Sequence, residues 1–160
     1  MTRGKESNDR ARTVVMGAGN ILMGDDGIGV HVIRALKEHG GLPDGVDLID
    51  AGTATLDALP LLDGVDSLII IDAVKGGGPA GAIYLFTPDD IDEAPSGRVS
   101  LHQITLLDAL KSNHFIGRRG CRATIIGVEP KDIIESLELS PELEQRIPKI
   151  IQTVLSLVNS

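Results

Sequence analysis

The stretch that most limits what this chain can become runs from residue 13 to residue 36. A short apolar run, Thr13-Val14-Val15-Met16, breaks into Gly17-Ala18-Gly19-Asn20-Ile21-Leu22-Met23-Gly24-Asp25-Asp26-Gly27, and apolar periodicity then resumes from Ile28 to Leu36. That order predicts a strand, a glycine turn, an acidic pair and a helix. Gly17 and Gly19 tolerate the positive φ of a tight turn, and Asn20 is the non-glycine type that enters the left-handed region most readily. Ile28, Val32, Ile33 and Leu36 share one helical face, with Arg34, Lys37 and Glu38 off it. Such a helix leaves a sheet half-buried.

A dinucleotide fingerprint is the obvious rival for this segment. The third glycine of G-x-G-x-x-G would fall at Leu22, and Asp25 and Asp26 would repel a pyrophosphate at the helix start. For the acidic pair two readings stand side by side. A carboxylate at a helix N-terminus accepts backbone N–H bonds, and one Asp is enough for that. Two behind a glycine turn, where α/β proteins place their ligands, suggest that one caps and the other faces a cation.

A chain of 160 residues, 42% hydrophobic, is the size of one domain and can bury a core without staples. We expect residues 1–12, polar and charged, to be a flexible tail and residues 13–160 to be a single domain. The lone Cys121 excludes an internal disulfide and a cysteine-built zinc site. No apolar run approaches a membrane span, and the opening residues lack a signal peptide, so a cytoplasmic, membrane-free monomer is expected. A net charge of −8 with 2% aromatic residues suits neither phosphate backbones nor base stacking, which argues against nucleic acid as a partner.

Further along, Val46 to Asp50 predicts a short strand with Asp50 to Thr53 as its exit loop, and Thr55 a cap for a brief helix. Ser67 to Val74 is apolar without alternation, as expected of a central parallel strand covered on both faces. Asp72 interrupts its end. A carboxylate buried there needs a cation, a donor or a helix terminus as partner, or simply nearby loop amides. The glycine-rich connector to Ala82–Phe86 is too short for a helical crossover, which predicts an antiparallel hairpin pair. Ser100-Leu101-His102-Gln103 has capping-box spacing and predicts a helix through Leu110, with His102 in its first turn. There a neutral imidazole suits metal ligation, although a solvated surface histidine has the same signature. His31, His39 and His114 give no pattern. Arg122 to Val128 predicts another buried strand, ending at Glu129-Pro130. Cys121 before it is a packing residue. Ser140 as cap and Pro141 at the first position predict a long terminal helix, kinked at Pro148. The sum is an α/β three-layer sandwich: a mostly parallel, twisted sheet of about five strands, one antiparallel, with helices on both faces.

In that topology Asp26, Asp72 and His102 all fall on the ligand side of the sheet. Two carboxylates and an imidazole suit a first-row metal with open coordination positions. No G-x-S-x-G, H-E-x-x-H or C-x-x-C occurs, so metal-linked hydrolysis is the chemistry that remains.

The residues from Gly17 to Gly29, with Ile70-Ile71-Asp72-Ala73-Val74 and Ser100-Leu101-His102-Gln103, resemble in order and separation the three motifs of the nickel-iron hydrogenase maturation proteases. The likeness runs from about Thr13 to the last helix. Asp50-Ala51-Gly52-Thr53-Ala54-Thr55 resembles a further family motif, with Ala51 and Thr55 where glycines are usual. The resemblance implies an endopeptidase that removes a C-terminal extension from a hydrogenase large-subunit precursor once nickel is in place. It implies Asp26, Asp72 and His102 as both the metal-binding and the catalytic set, and nickel, carried by the substrate, as the metal. Another divalent metal in the isolated protein stays open. Either the metal or a water deprotonated by Asp26 or Asp72 would drive attack. The rival from another class is a non-catalytic nickel-checking or chaperone module.

Overall fold

A computed structural model of the chain describes residues 11–92 and 121–160. Strand β1 (Thr13–Ala18) leads through a 3-10 turn (Gly24–Gly27) into helix α1 (Ile28–His39), and β2 (Val46–Gly52) into a 3-10 helix (Thr55–Leu62). There follow β3 (Ser67–Ala73), β4 (Ile83–Phe86), the short α2 (Pro88–Asp92), β5 (Arg122–Val128), α3 (Pro141–Glu144) and α4 (Ile147–Val158). The sheet order is β2-β1-β3-β5-β4. Every pair is parallel except β4 with β5, so the expected mixed α/β sheet is present.

The central strand is covered on both faces, as its continuous apolar run requires. Ile69 and Ile71 pack with Val15, Ile126 and Val128 against α1 and α4, while Leu68 and Ile70 pack with Val14, Met16 and Ile125 toward the 3-10 helix. Alternate residues of one strand thus enter two cores. The α1 face foreseen in sequence, Ile28, Val32, Ile33 and Leu36, is wholly buried.

Four expectations need correction. First, β4 is antiparallel but does not pair with β3, because β5 lies between them. The connector, residues 74–82, instead crosses the end of β5, with Val74 N–H donating to Val128 O, Gly81 N–H to Glu129 O and Glu129 N–H to Ala82 O. Second, Pro148 does not kink a long helix. The chain turns at 145–146, and Pro148 occupies the first turn of α4, where its missing N–H costs no helical bond. Third, Thr55 is a buried first residue of a 3-10 helix, preceded by Ala54 and without a side-chain cap. Fourth, Arg12, assigned to the tail, is tied down: its N–H donates to Asp66 Oδ2 at 2.7 Å and its Nε to Asp47 Oδ2 at 3.1 Å. The helix expected from Ser100 lies outside the described residues.

Candidate active site

The carboxyl ends of β1 and β3 converge on one turn. Gly17 of β1 pairs with Ile71 of β3, so the residues that follow, Ala18-Gly19-Asn20 and Asp72, lie side by side at the ends of the two strands. Gly17 is needed here for close approach: a Cβ would meet Gly29 O at 2.3 Å and Ile33 Cγ1 at 2.6 Å. That corrects the sequence expectation of a positive φ at Gly17. Gly19 does have one, at 121°, and a Cβ there would lie 1.9 Å from Asp26 O and 3.4 Å from Asp72 Oδ1. Only glycine fits, and its lack of a side chain lets the Asp26 backbone and the Asp72 carboxylate close on the same point.

Asp26 is partly buried, and its Oδ2 accepts the Asn20 N–H at 2.9 Å. Asp72 is 2% exposed, with Oδ1 accepting the N–H of Ala73 at 2.8 Å. Both carboxylates therefore border the Gly19-Asn20 peptide, one reaching Asn20 and the other lying against Gly19. Two of the three residues picked from sequence are brought together. His102, the third, lies outside the described residues. Among the described residues no three His, Cys, Asp or Glu side chains form a group able to hold a metal. Two carboxylates offer hard oxygen donors that fit a divalent first-row ion as a partial set, and an imidazole would complete it.

The acidic pair divides its work, though not as helix capping. Asp25 is 1% exposed, and its carboxylate accepts from Lys131 N–H at 2.9 Å, Asp132 N–H at 3.2 Å, Ser140 N–H at 2.7 Å and the Ser140 hydroxyl at 2.8 Å. It pins a distant loop, while α1 is preceded by Gly27 with no side-chain cap. Ser140, expected as a cap for the last helical segment, gives its hydroxyl to Asp25 instead. On the other flank Glu129, buried at the end of β5, accepts from Gly76 N–H at 2.5 Å and from the Tyr84 hydroxyl at 3.2 Å. The glycine-rich connector is thereby held beside the strand ends.

A cleft of about 290 Å³ opens next to the turn, lined among others by Asn20, Leu22, Val30, Arg34, Asp50 and Thr53. Sequence inspection missed Arg34 and Asp50 as cleft residues, because α1 and the end of β2 are unrelated along the chain. Cys121 is set aside as a nucleophile: burial first, and then the nearby Asp66 charge, push its thiol pKa up. The packing role expected of it stands, against the core on the 3-10 helix side.

The fold and this site define an α/β protein that gathers carboxylates at the carboxyl ends of parallel strands, beside a cleft open to a ligand. The family of hydrogenase maturation proteases matches residues 30–157. The hydrogenase 2 maturation protease of Escherichia coli K12 is 33% identical over 147 residues, covering 91% of this chain and 89% of that protein. Among solved structures, the hydrogenase maturating endopeptidase HybD from E. coli superposes with a TM-score of 0.81 at 32% identity, over 92% of each chain. The nickel-iron hydrogenase maturation protease HybD from Thermococcus kodakarensis gives 0.78 at 26% identity, over 92% of this chain and 99% of that one. The chain belongs to the hydrogenase maturation protease family and is an endopeptidase of hydrogenase maturation.

Proposed function

We propose that this protein removes the C-terminal extension of a nickel-iron hydrogenase large-subunit precursor after nickel insertion, with the substrate's nickel as its recognition element. The observation that carries this reading is the meeting of Asp26 and Asp72 at the Gly19-Asn20 turn. Nickel arriving with the precursor is substrate, and Asp26 and Asp72, with His102 from the third motif, are the side chains that would engage it. Engagement holds the neighbouring peptide bond in the cleft, so that an unmetallated precursor is left unpositioned and uncut.

Either carboxylate then serves as general base. It takes a proton from water, the oxygen adds to the peptide carbonyl carbon, and the proton passes to the leaving amine as the C–N bond breaks. The hydrogen bond from Ala73 N–H to Asp72 Oδ1, which fixes that carboxylate's orientation, supports Asp72 in this role. The test is mass spectrometry of the precursor, with and without nickel, before and after incubation with the protein. Only the nickel-loaded form should shorten. Asp26→Ala, Asp72→Ala and His102→Ala should each remain folded and lose about a hundredfold or more in rate. Undiminished processing by all three would remove the site assignment.

A further inference from the structure

We infer that the loop of residues 131–140, together with Leu22, is the surface on which the protein substrate docks beside the cleavage site; this rests on the endopeptidase reading. Leu22, Ile134 and Leu137 are 57%, 59% and 66% exposed, and Ile133 joins them at 39%. Single exposed apolar residues are ordinary, but a group on one structural unit marks a contact surface.

These four belong to one unit by backbone pairing. Met23 and Ser136 form a parallel bridge, Ser136 N–H donates to Leu22 O at 3.0 Å, and Gly24 N–H donates to Ser136 O at 2.8 Å. Asp25 then fastens both ends of the loop, at Lys131-Asp132 and at Ser140. The loop is thus ordered by a buried carboxylate and by backbone bonds, while its large apolar side chains stay in water. In the isolated protein those side chains gain nothing from being held outward. A partner that covers them gains the burial and finds the surface already ordered.

Continuity and charge identify the occupant. Leu22 also lines the cleft together with Gly19 and Asn20, so the apolar surface runs from the loop to the turn that both carboxylates border. What binds the cleft is a segment of a folded protein, and the rest of that protein must lie over the neighbouring surface. Asp132, Glu135 and Glu138 are exposed around the patch, and Lys131 is engaged by Glu142 at 2.9 Å. The fitting partner is an apolar surface of the precursor bordered by basic side chains, next to its scissile segment.

Steady-state processing of the nickel-loaded precursor by the full chain tests this. The double variant Ile134→Ser/Leu137→Ser should raise KM about tenfold and leave kcat within about twofold. Glu135→Lys/Glu138→Lys should raise KM as well and flatten its dependence on salt. Melting curves should match the wild type, because the altered side chains are solvent-exposed. An unchanged KM in both variants overturns the docking surface while leaving the peptidase reading intact. A wild-type dimer in sedimentation that the serine variant dissolves, with KM unchanged, would assign the patch to a second copy and equally overturn it. Should the wild type fail to cut, calorimetric binding of the same precursor decides: about tenfold weaker binding by the serine variant upholds docking without peptidase action, and equal binding ends it.

Discussion

Adjacent residues of one type can do unrelated work, and Asp25 and Asp26 show how burial separates them. Asp26 faces the turn it shares with Asp72, whereas Asp25 is enclosed and answers three backbone N–H groups and a hydroxyl. Asp25→Ala leaves those donors without their acceptor, so we expect a loss of about 3 kcal/mol in urea unfolding, as for other broken buried charge networks. The acidic pair was visible in sequence. Which member was structural was not, because Asp25's partners lie beyond residue 130.

His31, one of the histidines that showed no pattern, has a buried Nε2 without a hydrogen-bond partner among the described residues. Its pKa is lowered from 6.5, by burial first and by Arg34 second, against opposing pulls from Glu144 and Asp25. The folded state therefore prefers the neutral ring. Its contribution is complete above 6.5 and is lost as pH falls through the lowered value, because the unfolded chain binds the proton first. In His31→Gln the decline of urea stability below pH 6.5 should be shallower than in the wild type.

At the scale of elements, periodicity was enough for α1 and for the central strand, whose apolar runs have no other stable placement. It was not enough for the partner of β4. A connector too short for a helix excludes a parallel crossover but does not say which strand lies alongside, and here β5, supplied much later in the chain, takes the place. Glu129 holds that crossing connector through Gly76 and Tyr84. Glu129→Gln weakens a charge-assisted bond, so amide exchange at Gly76 should quicken by about tenfold while β3 amides keep their protection.

Over the whole molecule, two cores on opposite faces of one sheet make the stability of the fold that carries the site depend on packing far from it. Ile150 of α4 is fully buried in the core that seats α1, and α1 in turn presses Gly29 against β1. Ile150→Ala should cost about 2–5 kcal/mol in chemical denaturation. The processing rate per folded molecule should be retained, since no carboxylate moves with that side chain. None of the helices among the described residues is long and apolar enough to cross a membrane.

Motif order in the chain carried the family likeness, and local chemistry was sufficient for the strand-turn-helix unit and the buried central strand. The last two rest on interactions within a few residues or on the period of the apolar pattern. Only the tertiary structure decided that Asp25 anchors the 131–140 loop, that β5 enters between β3 and β4, and that the cleft joins Arg34 to Asp50. Those pairings join residues that sequence spacing does not bring together, and packing and hydrogen bonding in the folded chain select the partner.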